Sequence, residues 1–251
     1  MTISRQSWTN YIMTLRDINE QAAEKLVKYL NTHSVFISGG NTSEIILNED
    51  ALKEFIDYAY AIVTQYGEAS AALAAEMYDL TAELEGVFLP SAELADLADY
   101  GDVAKSVRGT VKNSQNFEEI ASAAARWVKM AAADTTLHNA LRDGAEFAWV
   151  PQGDTCAFCL TLASRGWQAA SKKAIKGGHA EHIHSNCDCQ YAIRFDERTR
   201  VSGYDPEMYL RMYQSAEGRT PTEKINAMRR AAYAADKPTE GTSNQGLIDV
   251  N

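Results

Sequence analysis

The N-terminal part of the chain carries apolar residues at helical spacing. From Trp8 to Tyr29 an apolar side chain recurs every three or four residues, which places these side chains along one face of a helix. The segment ISGGN at 37–41 interrupts this pattern, because paired glycines are costly inside a helix. The pattern therefore predicts a first amphipathic helix that ends before this loop.

A second and much longer helix is predicted after Asn48. Asn48 is a suitable N-cap, and Glu49 and Asp50 suit the positive end of a helix dipole. The helical pattern continues to Glu85, with a weak point at Gly67. At about 1.5 Å per residue such a helix spans roughly 50 Å. We expect an elongated strut.

Two shorter helices complete the predicted helical region. One is expected to start at Leu89–Pro90–Ser91 and to end at Gly101. Ser114 is expected to cap the other. The buried face of that helix is predicted at Phe117, Ile120, Ala124, Trp127, Ala131 and Leu141.

The periodicity changes after Gly144. AEFAWVP at 145–151 and QYAIRF at 190–195 are rich in aromatic and branched residues, which favours two strands. Helices return at Asp205–Pro206 and at Thr220–Pro221–Thr222–Glu223, where the second sequence is a capping box.

The predicted fold class is mainly α. An elongated helical N-terminal region, residues 1–144, is followed at 145–204 by a small α+β, zinc-knuckle-like module with short antiparallel strands. C-terminal helices are expected at 205–236 and a flexible tail at 237–251. A hydrophobic content of 45% is typical of a globular protein. No apolar run predicts a membrane helix or a signal peptide, so we expect a cytosolic site of synthesis and no membrane partner.

The net charge of −10 is unevenly distributed. Residues 1–150 carry 22 acidic and 11 basic side chains, whereas residues 151–251 carry 12 and 13. The first part would repel the phosphate backbone of nucleic acid. The second part has basic residues that could contact DNA or a protein partner, although a solvated mixed surface is the ordinary interpretation. These residues are Arg165, Lys172, Lys173, Lys176 and Arg194.

All four cysteines lie in one short window. Cys156 and Cys159 form C-x-x-C, and after a loop of about 25 residues His184, Cys187 and Cys189 form H-x-x-C-x-C. Two closely spaced ligand pairs joined by a loop are a recurrent zinc-site layout, and sulfur with imidazole favours zinc over calcium or magnesium. We predict one structural zinc. The preferred ligands are Cys156, Cys159, His184 and Cys187. Cys189 replaces His184 or Cys187, or lies behind the site.

Three other interpretations of the cysteines remain open. They could form disulfides, although a reduced cytosolic chain of this length needs none. Cys156 and Cys159 could form a redox pair, but the strand–helix alternation of a thioredoxin-like domain is missing. The four thiols could also be buried without a metal.

A catalytic metal site is a further alternative. His179–Ala180–Glu181 matches the H-x-E of zinc-dependent nucleobase deaminases, in which H-x-E precedes C-x-x-C. Here the order is reversed, and three sulfurs with a histidine would leave no open position for water. We therefore predict no catalytic residues and no enzyme. A zinc-dependent hydrolase or deaminase and a nucleic-acid-binding zinc module are the alternative functions.

Three segments carry a resemblance to a known family. WVPQGDTCAFCLTLASRGW, HIHSNCDCQY and GYDPEMY resemble the C-terminal module of phage minor head proteins of the Mu gene F-like head-morphogenesis family. This chain shares Asp154, the four cysteines, His184 and Asn186 with the family pattern. It has Ser185 where proline is common and Asp188 where a basic residue is common. The resemblance covers about residues 145–210.

The resemblance implies a minor capsid protein of a tailed phage or prophage. Such proteins lie inside the head near the portal and assist assembly, DNA packaging or ejection. The implied partners are the portal or the major capsid protein and, in some relatives, packaged DNA. The implied locations are the virion and, during assembly, the host cytoplasm. No small-molecule substrate is expected.

Overall fold

The computed structural model of the chain describes residues 2–38, 45–152, 156–173 and 189–235. The described part is mainly helical with a few short strands, which confirms the predicted fold class. Its helices are α1 (Arg5–Thr32), α2 (Glu49–Glu85), α3 (Tyr100–Val111), α4 (Phe117–Asp143), α5 (Ala157–Ala163), α6 (Pro206–Ser215) and α7 (Pro221–Ala235). Its strands are β1 (Thr2–Ile3), β2 (Phe36–Ser38), β3 (Ile45–Leu47), β4 (Glu146–Val150), β5 (Gln168–Ala169), β6 (Gln190–Arg194) and β7 (Arg200–Val201). The predicted tail at 237–251 lies outside the described residues.

The long helices begin where side chains can satisfy their first backbone N–H groups. Asn48 accepts a hydrogen bond from the Ala51 N–H and caps α2, as predicted. The predicted cap of α4 was wrong by two residues. Asn116 accepts from the first N–H groups of that helix, whereas the Ser114 hydroxyl accepts from the Asn116 N–H and fixes the approach to the cap.

Helix α2 runs unbroken through Gly67, contrary to the predicted weak point. Gly67 is buried where α2 packs along α4. A Cβ at this position would lie 3.3 Å from Leu97 Cδ2 and 3.7 Å from Ala131 Cβ. The glycine therefore permits a close approach of neighbouring segments, and the packing of the long helix compensates its low helix propensity.

The predicted helix from Leu89 to Gly101 was also wrong. Residues 87–99 form neither helix nor strand, and we call this segment the strap. Helix α3 starts only at Tyr100, where the Asp99 carboxylate caps it by accepting from the Asp102 N–H. The strap therefore connects α2 to α3 in an irregular conformation over 13 residues.

Polar side chains of α2 and α4 satisfy the backbone of the strap. The Asn139 amide oxygen accepts from the Glu93 N–H at 2.9 Å, and its nitrogen donates to the Glu93 carbonyl at 2.8 Å. The Thr135 hydroxyl accepts from the Ala95 N–H, and Asp79 accepts from the Ala92 N–H. These bonds give several backbone groups of the strap the partners that a helix would otherwise supply.

Asn139→Ala should destabilise the protein by about 3 kcal/mol, because the fully buried amide satisfies both backbone groups of Glu93. The free energy of unfolding measured by urea denaturation tests this. Asn113→Ala removes a comparable side chain that is exposed and bonds only to the Gly109 carbonyl, so it serves as the control. Equal stabilities of the two variants would contradict the role of Asn139.

The helices and the residues after 145 share one apolar cluster. Trp8 of α1, Tyr78 of α2 and Phe147 of β4 belong to it, as do Cys159 and Tyr204. At the N-terminus, β1 pairs in parallel with β7. The sheet that holds the cysteine window is therefore packed directly on the helices.

Burial raises the pKa of Asp134 in α4 to about 6. Below about pH 4 this carboxyl is mainly protonated in both the folded and the unfolded chain, so its burial does not lower the free energy of unfolding. Between about pH 4 and pH 6 the carboxyl ionises in the unfolded chain but stays protonated in the folded chain. The free energy of unfolding therefore falls over this range, and it changes little above it. Asp134→Asn should therefore stabilise the protein by about 2 kcal/mol at pH 7.5 and by almost nothing at pH 3.5.

Urea denaturation at the two pH values measures this difference. Asp17→Asn removes the same carboxylate at an exposed position of α1 and serves as the matched control. An equal effect of Asp134→Asn at both pH values would show that ionisation of this carboxyl does not limit stability.

Candidate metal centre

The register of the sheet places the segment that leads to Cys156 and the segment that carries Cys189 at the same end of strands β4 and β6. Strands β4 and β6 are antiparallel, and Val150 pairs with Gln190. The chain that leaves β4 therefore lies beside the chain that enters β6. Cys156 follows β4 after five residues, and Cys189 directly precedes β6. The two predicted strands are thus confirmed, and β5 adds a third strand on the other side of β4.

The C-x-x-C pair lies at the start of α5, where Cys156 is the N-cap residue. Its two sulfur atoms are 3.5 Å apart. This distance is far longer than the roughly 2.05 Å of a disulfide bond. It is close to the roughly 3.8 Å that separates two sulfurs on a tetrahedral zinc with Zn–S bonds of about 2.3 Å. The pair is therefore arranged as two ligands of one ion would be.

Cys159 and Cys189 are buried in the same apolar cluster, with exposed fractions of 0% and 5%. Cys156 is partly buried against this cluster. Tyr209 of α6 also belongs to it, and burial together with the nearby charge of Cys189 raises the pKa of the Tyr209 phenol. Tyr209 of helix α6 and Cys189 therefore lie in the same buried part of the core.

The other predicted ligands, His184 and Cys187, lie outside the described residues, as do Asp154, His179 and Glu181. Within the four described ranges, no group of three or more His, Cys, Asp or Glu side chains is arranged to hold a metal ion. Among the described residues, Cys156 and Cys159 are the candidate ligands whose sulfur atoms lie close together. The identity of the second pair stays a prediction.

The predicted basic contacts fall into two groups. Arg165, Lys172 and Lys173 are exposed beyond the end of α5, and Lys176 lies outside the described residues. Arg194 is instead buried, with 8% of its surface exposed. Its guanidinium bonds to the Glu146 carboxylate, donates to the Glu197 carbonyl and stacks on the Trp167 ring at 4.6 Å. This correction removes Arg194 from the candidate contact surface.

The sequence interpretation missed Glu85, the last residue of α2. One oxygen of its carboxylate accepts from the Phe195 N–H at 2.9 Å and the Asp196 N–H at 2.7 Å. This contact holds the turn after β6 against the helices. Glu85 and the turn are separated by 110 residues, and no local pattern indicates that they meet.

Among the described residues, no helix combines the length and the apolar composition needed to cross a bilayer.

Comparison with known proteins places the chain among phage proteins. Neither the curated proteins nor the solved structures include a significant match. A protein-family model described as VG15 protein matches residues 2–216. This match includes both the helical region and the cysteine window, so it extends well beyond the segments that carried the first resemblance. The chain therefore belongs to the VG15 protein family, a family of phage proteins.

Proposed function

We propose that this protein is a structural minor head protein of a tailed phage or prophage. It lies inside the head near the portal and assists assembly, DNA packaging or ejection. Membership of a phage family over residues 2–216 supports a role in the phage cycle. The observation that carries the finer proposal is the cysteine arrangement, because the C-x-x-C pair and Cys189 share one buried cluster. This is the arrangement expected from the resemblance to Mu gene F-like proteins.

The proposed zinc is structural. Cys156 and Cys159 would hold it together with two of His184, Cys187 and Cys189. When bound, the ion contributes folding free energy by joining the ends of a long loop. The apolar core shields the thiols of Cys159 and Cys189 from water. Tyr209 belongs to the same core cluster. A closed set of four protein ligands would leave no position for substrate.

The proposed protein partners are the portal or the major capsid protein. Packaged DNA is a weaker candidate partner, because residues 1–150 carry twice as many acidic as basic side chains. The exposed residues Arg165, Lys172 and Lys173 are the described positions at which an acidic partner surface or a phosphate group would be contacted.

Purified virions test the proposed location. Particles separated from lysate on a density gradient and treated with protease should retain this chain inside intact heads, as measured by quantitative mass spectrometry. A phage that lacks the gene should yield heads that are misassembled or non-infectious, and a plasmid copy should restore them. Absence of the chain from mature particles and from assembly intermediates would refute the proposal.

Activity measurements separate the structural proposal from a zinc-dependent hydrolase or deaminase. In such an enzyme Glu181 would act as the general acid or base. If the protein is structural, a phage that encodes the Glu181→Gln variant should keep its infectivity, and the purified variant should keep its zinc content. A hydrolytic or deaminating activity that Glu181→Gln abolishes while zinc stays bound would favour the enzyme instead.

A further inference from the structure

A long acidic stretch of the chain presents an uncovered apolar surface. Residues 54–104 contain 11 acidic and no basic side chains. Within it, Phe88 is fully exposed at 101%, and Leu80 and Leu84 are each 37% exposed on the last turns of α2. Glu76 and Glu83 are exposed on the same end of the helix. We call these five residues the acidic knob.

The spacing of the acidic knob places its apolar residues together. Leu80 and Leu84 are four residues apart in α2 and thus share one helix face. Phe88 follows shortly after the helix ends at Glu85. The two leucines on one face and a fully solvated phenylalanine four residues after Leu84 expose apolar surface of the kind that marks protein interaction sites.

An apolar groove with a cation at its rim lies in the C-terminal part of the chain. It has a volume of about 640 Å³ and runs between α5, α6 and α7. Leu160, Met212, Ala227 and Met228 supply apolar walls, and Arg230 supplies a cation. Met side chains adapt their shape to an inserted aromatic ring. We call these five residues the methionine groove.

The charge around the methionine groove complements that of the acidic knob. Residues 224–235 of α7 carry Lys224, Arg229 and Arg230 and no acidic side chain. Arg229 and Arg230 are exposed, whereas Lys224 donates to three carbonyls at the end of α6. Glu217 also lines the groove, so its rim carries both charges. The exposed part of α7 after Glu223 carries only cations.

We propose that the acidic knob of one copy of this chain inserts into the methionine groove of a second copy. Phe88 is fully exposed and the groove is open in the single chain, so a second copy can offer each surface its complement. The knob and the groove are different surfaces, which makes the contact head-to-tail. A head-to-tail contact builds rings when its rotation closes and open chains when it does not.

Two variants of the full-length chain test this contact. Phe88→Glu removes the apolar tip of the knob and leaves the groove intact. Arg230→Glu reverses the charge at the groove and leaves the knob intact. Both positions are exposed, so folding should be retained, and circular dichroism checks this. Analytical ultracentrifugation should show wild-type oligomers that weaken with added salt, and at least about tenfold weaker association for each variant alone.

Mixing the two variants gives the decisive result. Each retains one functional surface, so an equimolar mixture should form a one-to-one dimer with wild-type affinity that grows no further. Met13→Glu, which places the same charge on an exposed apolar residue of α1, should associate like the wild type. A wild-type chain that stays monomeric at ~100 μM in low salt would overturn the proposal. Wild-type oligomers that neither variant weakens, or a mixture without dimers, would overturn it as well.

Discussion

If the proposed zinc is bound, Cys156→Ser should remove it and unfold the region around the cysteine window. Structural zinc contributes roughly 10 kcal/mol of apparent free energy, which is as large as the whole stability of many domains. The wild-type chain from a rich medium should contain about one zinc per molecule by elemental analysis. The variant should contain much less. Its near-ultraviolet circular dichroism should change, because Trp149 and Trp167 lie around this part of the core.

Cys189→Ser is the matched substitution at a second buried cysteine of the same cluster. If Cys189 lies behind the site, this variant should keep its zinc and lose only part of its packing energy. If Cys189 is a ligand, it should lose zinc as Cys156→Ser does, and either His184→Ala or Cys187→Ser should then retain the metal. A wild-type chain without metal, or Cys156→Ser with unchanged zinc content and melting temperature, would contradict the proposed centre.

Elements governed by local signals could be predicted closely from the sequence. Helix α2 spans Glu49–Glu85 as predicted, because the residues that start and end it, Asn48 and Gly86, directly flank it in the sequence. The capping box of α7 is also confirmed, since the Thr220 hydroxyl accepts from the Glu223 N–H and the Glu223 carboxylate accepts from the Thr220 N–H. The chemistry of these ends needs no distant partner.

The strap could not be predicted in this way, because its partners are distant in sequence. The groups that hold its backbone, Thr135 and Asn139, lie 40 and 46 residues further along the chain. Gly67 was misread for a related reason: the atoms that a side chain there would meet belong to the strap and α4. Helix propensity depends on local sequence and carries no information about the contacts of the strap or of Gly67. At both places tertiary packing decides the conformation.

The candidate metal centre was only partly accessible from the sequence. The spacing of Cys156 and Cys159 was sufficient to predict that their sulfurs meet, because both lie at the start of one short helix. The role of Arg194 was not accessible. Its charge suggested a surface contact, whereas the register of β4 and β6 places it opposite Glu146, 48 residues away.

Arg194→Ala should destabilise the protein by about 3 kcal/mol rather than remove a surface contact. The substitution leaves the Glu146 carboxylate without its cation in a setting where its side chain is only 31% exposed. It also removes the stack on Trp167 and the hydrogen bond to the Glu197 carbonyl. Urea denaturation followed by tryptophan fluorescence measures the loss, since Trp167 reports on this environment directly.

Arg198→Ala provides the matched comparison, because Arg198 also pairs with a carboxylate but its side chain is 87% exposed. An ion pair this exposed is screened by solvent and contributes little to stability, so the variant should unfold almost like the wild type. In the double variant Arg194→Ala/Glu146→Ala the loss should be smaller than the sum of the two single losses, because no unpaired charge remains. If Arg194→Ala instead keeps full stability and weakens binding to DNA, the guanidinium reaches the surface in solution. A loss of stability follows if Arg194 stays buried against Glu146 and Trp167, whereas a loss of DNA binding requires its side chain to leave this position.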